Sequence, residues 1–353
     1  MPSDPSVSWS AAYDQAEQSE MMWRELEEER TWDEKRREEQ LEETWHQQRS
    51  GQDPNPPRPP RQKSPGADST RPNPVGAIRS VALDVQRRMH PDLAVFISEM
   101  FYGGKYFSPE GEAFLQSKSL ELAHFPKPVT FIDICPGKGS DGNEVDLSKR
   151  DQRKKYLAEH DADLPYRGFA NPCEAEQVVH VLEAIIGDAA LDREQAEVQR
   201  AGDQIPLIGI IALYAGQVAL INCLIRGNSA LRSESVSGNE WLCGGVRVAV
   251  NSVDAFQGKE CPVIILSFTR SNRQQAVGFV DDPHRLNVAL SRARKKLILV
   301  GDAETLTRRA RETTGEIKDS RAARQDRVFF RQLVQYVEGR GKTMRIFERR
   351  CAT

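Results

Sequence analysis

Hydrophobic positions change their pattern abruptly along this 353-residue chain. Over residues 1–76 they are sparse. From Glu20 to Gln48 the sequence is rich in Glu and Arg and lacks Gly and Pro, while Met22, Leu26, Leu41 and Trp45 form no continuous stripe. That pattern predicts a solvated single helix at most over 20–48. Gly51 to Pro74 contains eight Pro, including Pro56-Pro57 and Pro59-Pro60, the composition of an extended linker.

Helical periodicity begins at Pro91, with Leu93, Phe96, Ile97 and Met100 on one face up to Phe101, and stops at Gly103-Gly104. Short apolar runs follow at Val129 to Ile134, Ile205 to Leu213, Val246 to Val250, Val263 to Phe268 and Leu297 to Val300. Helical patterns separate them at Cys173 to Ile186, Gly216 to Arg226 and Pro283 to Arg294, and another spans Ala322 to Val337. Runs of this length and β-branched content are strands buried on both faces. The expected fold is α/β, a parallel sheet with helices on both faces. A charged insert from Pro136 to Arg167 interrupts the alternation and receives no role. In such sheets ligands bind beyond the carboxyl ends of the strands, so the loops after the runs are where chemistry is expected.

Composition locates the dilution of the core. Hydrophobic residues make up 39%, below the usual ~45–50%. Met1 to Ser80 holds 16 Asp/Glu against 11 Lys/Arg, a net −5, while the remainder carries +2; four of the five Trp also lie in this first stretch. The expected organisation is a disordered acidic, Pro-rich tail over 1–76 and one folded domain over 77–353. The overall charge of −3 excludes a globally basic nucleic-acid coat. Six Cys, never closer than eighteen residues apart, argue against a zinc module or a disulfide scaffold and suit a reducing compartment. No run approaches the ~18 apolar residues of a membrane span, and the N-terminus lacks a signal peptide's order. A soluble intracellular protein, of cytoplasm or nucleus and without a membrane partner, is expected.

The loop Asn251-Ser252-Val253-Asp254-Ala255-Phe256-Gln257-Gly258-Lys259-Glu260 follows a strand and sets a cation and an anion beside a Gly, by itself a weak signal. Arg285 to Lys296 reads as a helix ending in basic residues, which also suits plain complementation of a helix dipole. Four ordered strings change the weighting. Ser252-Val-Asp-Ala-Phe-Gln-Gly-Lys-Glu260 with Val263-Ile-Ile-Leu-Ser267, and Arg285-Leu-Asn-Val-Ala-Leu-Ser-Arg-Ala-Arg294, resemble motifs V and VI of superfamily 1 helicases. The nearest likeness is the SF1B branch containing the nonsense-mediated-decay RNA helicase and senataxin. Gln86-Arg-Arg-Met-His-Pro91 resembles that branch's Gln-Tyr-Arg-Met-His-Pro, and Ile208-Gly-Ile-Ile-Ala-Leu-Tyr-Ala-Gly-Gln217 resembles its motif IV. The likeness covers about residues 80 to 310.

The resemblance implies the second RecA-like domain of a motor with a P-loop NTPase fold, in which two such domains close over ATP and nucleic acid crosses both. It makes Arg292 an arginine finger and Arg88 a second γ-phosphate contact, the two catalytic candidates. Glu260 becomes an acceptor for a ribose hydroxyl, and Gly258 and Gln217 line the nucleotide cleft. Arg87 stands where the family has an adenine-stacking Tyr, and a guanidinium also stacks on a base. Ser252, Asp254 and Tyr214 fall at nucleic-acid positions. Ala212-Leu213 replaces the common Thr-Pro of motif IV, Asn287 is a packing or relay residue, and His90 is structural.

Phosphoryl transfer also needs a Gly-x-x-x-x-Gly-Lys-Ser/Thr loop and an acidic pair for Mg²⁺. Gly104-Lys105, Gly137-Lys138 and Gly258-Lys259 lack the following hydroxyl. Gly341-Lys342-Thr343 has it but follows a helix, with Tyr336 at the first glycine position. The expectation is the C-terminal half of an ATP-dependent helicase without autonomous ATPase. ATP and Mg²⁺ would be used only with a first RecA-like domain. Its partners would be single-stranded RNA or DNA, and a protein that supplies the missing motor domain or binds the tail. Two alternatives stand beside this: a non-catalytic nucleic-acid or protein binding module, and an incomplete gene model of a complete helicase.

Overall fold

The computed structural model describes residues 84–135, 143–157, 160, 163–202, 205–274, 276–278, 283–307, 321–340 and 342–347. The tail, the linker and the helix expected at 20–48 lie outside the described residues. In chain order the elements are α1 (Pro91–Phe101), α2 (Glu112–Lys118), β1 (Val129–Cys135), β2 (Val145–Asp146), α3 (Arg150–Leu157), β3 (Phe169–Ala170), α4 (Pro172–Ile185) and α5 (Ala189–Arg200). There follow β4 (Ile208–Ala212), α6 (Ala215–Gly227), β5 (Glu234–Ser237), β6 (Glu240–Cys243), β7 (Val246–Ser252), β8 (Cys261–Ser267), α7 (Pro283–Leu290), β9 (Ala293–Gly301), α8 (Ala303–Thr307), α9 (Arg321–Arg340) and β10 (Lys342–Phe347).

The main sheet runs β10-β1-β9-β8-β4-β7-β6-β5. Its first six strands are parallel and β6 and β5 are antiparallel. Neighbouring strand residues alternate faces. Ile132, Ile265 and Ile298 join the core with Val178, Leu182 and Ile221 of α4 and α6. Val129 and Leu297 meet Leu93 of α1, Leu290 of α7 and Leu333 of α9 on the other side. Helices therefore cover both faces, as the continuous apolar runs require. The architecture is the expected RecA-like α/β fold.

Two local departures have physical causes. The helix expected over Pro283 to Arg294 ends at Leu290, and Ala293 already begins β9, so Arg294 to Lys296 are strand residues. Their cationic groups resemble a solvated helix end until tertiary partners appear. Lys295 pairs with Glu194 of α5, and the buried Lys296 donates to the carbonyls of Phe125 at 2.6 Å and Lys127 at 2.8 Å. The β5–β6 hairpin was not expected; Gly238 supplies the positive φ of its turn, and buried Trp241 donates to Asn222 at 2.7 Å. As expected, Lys342 and Thr343 follow a helix, α9, and they open β10, the reverse of the strand-then-helix order a phosphate loop needs.

Candidate functional site

The loop before α1 is sorted by burial. Gln86, Met89 and His90 are buried, while Arg87 and Arg88 face outward. The Gln86 side chain shapes this turn, accepting from the Arg88 and Met89 amides at 2.9 and 2.7 Å and donating to Ser108 at 2.6 Å. His90 caps α1 by accepting from the Asp92 amide at 3.1 Å, and burial holds its pKa below the usual value. It is structural, as expected. Its backbone N–H also bonds Arg294 at 2.8 Å, which fixes the turn beside the start of β9.

Residues 253–260 form the crossover between parallel strands β7 and β8. They leave the carboxyl end of β7 and arrive at the amino end of β8, a span of roughly 20 Å for strands of this length. A short 3₁₀ turn over Asp254–Phe256 anchors the path, with the Phe256 ring fully buried against Gly209 of β4. Gly258 turns the chain with φ +82°. Glu260 thus lies at the amino edge, next to Arg292 in the turn between α7 and β9.

There the structure gathers Glu260, Arg88, Arg292 and Arg294. Glu260 forms an ion pair with Arg88 and lies 3.8 Å from Arg294. Arg292 is folded onto its own turn, donating to the Val288 carbonyl at 2.9 Å, Lys259 at 3.3 Å and the Ser291 hydroxyl at 3.0 Å. Burial, and then the neighbouring Arg88, push its pKa down. Lys118 of α2 joins the cluster, its pKa lowered by burial and then by Arg294 and Lys295. Tyr102 and Tyr106 stack at 5.0 Å beside it, and Asn287 donates to the Tyr102 hydroxyl at 3.1 Å. Such a surface suits a polyanion with a base nearby. Neither Lys118 nor these two rings were singled out in the sequence. The basic residues clustered only through folding, and the rings carried no motif. This cluster sits at the amino ends of β8 and β9, because the crossover carries its carboxylate along the sheet.

Other expected residues lie at the opposite edge. Ser252 ends β7, accepts from the Ala255 amide at 3.4 Å and lines a cavity of about 440 Å³ with Asn222, Asn239 and Asn251. Asp254 is exposed and pairs with Arg285 at 3.3 Å. Tyr214 is buried, its ring edge against Phe169 and its hydroxyl accepting from Arg270 at 3.2 Å. Gln217 is also fully buried. It accepts from the Asn171 amide at 2.7 Å and donates to Ser267 at 3.1 Å, so the structure makes it a strut of the core, away from the arginines.

A polar network that the sequence did not announce fills the space behind these residues. Glu174 of α4 is completely buried, accepting from the Ser267 hydroxyl at 2.6 Å and the Thr269 amide at 2.7 Å. Burial pushes its pKa up to about 8, with the hydrogen bonds opposing and Asp302 reinforcing. Thr269 holds φ +72°, unusual for a β-branched residue. Next to it, Arg270 is clamped by Glu144 at 2.9 and 3.1 Å and lies over the Phe169 ring.

Residues 71–304 match the AAA_12 family, described as an AAA domain. The chain belongs to that family. It is the C-terminal RecA-like domain of an SF1B helicase, the assignment the ordered motifs implied. The yeast ATP-dependent helicase NAM7 (Saccharomyces cerevisiae) is 30% identical over 228 residues, 65% of this chain and 19% of that protein. Regulator of nonsense transcripts 1 of Caenorhabditis elegans is 33% identical over 233 residues, 65% of this chain and 18% of that one. The AAA_12 chain thus spans about a fifth of these relatives' length. A solved C-terminal domain of a "possible DNA helicase" from Lactobacillus aligns with 61% of this chain and 86% of its own, at 12% identity and a TM-score of 0.29, too loose to add to the assignment. No described helix is long and apolar enough to cross a membrane.

Proposed function

We propose that residues 77–353 act as the second motor domain of an ATP-dependent helicase on single-stranded RNA or DNA. The observation that carries this reading is the convergence of Arg88, Arg292 and Arg294 on Glu260 at one edge of the sheet. Arg292 and Arg88 would meet the γ-phosphate, Glu260 a ribose hydroxyl, and the exposed Arg87 the adenine face. Gly258 keeps the backbone beside Glu260 open. With Mg²⁺ and a phosphate-loop domain, ATP supplies the phosphoryl-transfer chemistry; this domain's part is to place positive charge where negative charge develops.

The residues fit that part in charge, and they show what must move. Arg88 is held by Glu260, and Arg292 by its own turn and the Lys259 carbonyl, so both guanidiniums exchange intramolecular partners when they take phosphate. At the other edge, Ser252 and the exposed Asp254 loop would track the nucleic-acid backbone, with Tyr214 supporting that surface from beneath. A Mg²⁺-dependent ATPase assay tests the reading, using the full chain alone and with an added phosphate-loop domain, with and without a single-stranded oligonucleotide. The expected result is turnover only in the combined sample and its loss on Arg292→Ala. Turnover by the chain alone, abolished by that substitution, overturns the half-motor reading.

A further inference from the structure

The described residues of the charged insert after β1, 143–157, 160 and 163–167, have a definite position. Asn143 and Glu144 are pinned to the carboxyl edge of the sheet, where their amides bond Ser271 at 3.2 and 3.1 Å. The β2–β3 ribbon then lies against the start of α6, with Leu147 packed at Gly216 and Phe169 against Tyr214. Asp163 of the insert lines the same 440 Å³ cavity as Ser252 and Asn251. The insert is therefore continuous with the edge assigned above to nucleic acid.

Helix α3 presents cations and an aromatic ring outward, with Asp151 as its one exposed carboxylate. Leu157 and Leu164 anchor the insert in the core. Arg150, Lys154 and Lys155 of α3 are exposed and form no ion pair with any described residue. Of the neighbouring carboxylates, Asp146 pairs with Lys149 at 3.5 Å and Asp163 with Arg226 at 3.2 Å, while Asp151 is exposed on α3 beside these cations. Arg150 and Lys154 are four apart and share a face. Tyr156 and Tyr166 are 53% and 71% exposed, and the Arg153 guanidinium lies 3.9 Å over the Tyr166 ring, holding that ring in place with its other face free to stack. Cations beside solvent-facing rings are the combination that binds single strands, phosphates by charge and bases by stacking.

We propose that α3 and Tyr166 form an accessory binding surface for single-stranded nucleic acid, extending the track from Ser252 onto the insert. This rests on the nucleic-acid reading of the carboxyl edge. The test is fluorescence anisotropy of the full chain with labelled oligouridylate and oligodeoxythymidylate across a salt series. Lys154→Gln/Lys155→Gln is expected to flatten the log affinity against log salt slope by about 1.4, since each cation contributes ~0.7 on a single strand. Tyr166→Ala should weaken binding with little change in slope. Lys154→Arg/Lys155→Arg should retain the wild-type slope. Arg193→Gln/Arg200→Gln on α5, exposed at the other edge, is the control and should also keep it. An unchanged melting temperature in the glutamine variant confirms that the surface alone was altered. Wild-type binding with an unaltered slope in that variant overturns the accessory surface and leaves the motor-domain reading standing. No wild-type binding at low salt overturns both.

Discussion

At the scale of single residues, Arg292 and Glu174 show two different uses of burial. Arg292 is half-buried but adaptable, because its donors rest on neutral acceptors, the Val288 and Lys259 carbonyls and the Ser291 hydroxyl, and can be released to a stronger one. In the proposed motor-domain role, with a phosphate-loop domain present, Arg292→Ala should lower kcat by a factor of about 10³ or more, the range seen for arginine fingers. Arg292→Lys should recover little, lacking the planar fork; steady-state ATPase assays check both. Glu174 is locked in. The folded protein keeps its proton up to about pH 8, whereas the unfolded chain releases it near 4.5. The native state therefore binds more protons in that window, and stability falls as pH rises from 4.5 to 8. Glu174→Gln should abolish this slope, raising the denaturant midpoint at pH 8 far more than at pH 5. Lys296, pushed down to about 8 by burial, acts above that window and with the opposite sign.

At the scale of elements, the decisive piece is the crossover between β7 and β8. Its eight residues link one edge of the sheet to the other, and Phe256 is their anchor, wholly buried where Gly209 leaves room for the ring. Phe256→Ala should cost roughly 3–5 kcal/mol by chemical denaturation, through lost burial and a cavity. Gly209→Val should also destabilise, by ~1–3 kcal/mol, since even a Cβ there would lie 2.7 Å from the ring. Both substitutions loosen the segment that holds Glu260, so nucleotide affinity should fall with stability. Much of this level was legible in the sequence: α1 has its expected limits, and α4 and α6 fall within a residue or so of theirs. The β5–β6 hairpin and the strand identity of Arg294 to Lys296 were not, because short alternating segments and buried lysines take their meaning from partners distant in sequence.

At the scale of the whole molecule, α9 and β10 close the sheet. Phe329, Phe330, Leu333 and Val337 are buried, with Phe329 packed on Phe96 and Phe101 and Phe330 edge-on to Phe268. Tyr336 donates to the Asp92 carbonyl of α1, and β10 pairs with β1 from Thr130 to Cys135. Each such side chain is worth about 1.5–3 kcal/mol of burial. Removing residues 321–353 should therefore leave a species without a cooperative unfolding transition, detectable by calorimetry. The same terminal helix sits on the face of α1 whose preceding turn carries Arg88, so its loss should also disorder the arginine cluster.

Local patterning determined the class of this protein. Apolar runs of strand length required burial on both faces, helical periods supplied the covers, and four motifs in order sufficed for the helicase family. These signals lie in contiguous residues. The site depended on distances that contiguous sequence does not contain. Gln217 and Tyr214, paired with the cleft and the nucleic acid by motif, are buried, hydrogen-bonded to Ser267 of β8 and to Arg270 in the loop after it. Arg88, Glu260 and Arg292, spread over two hundred residues, came together because parallel strands β8 and β9 begin at one edge of the sheet and α1 is tied to the start of β9.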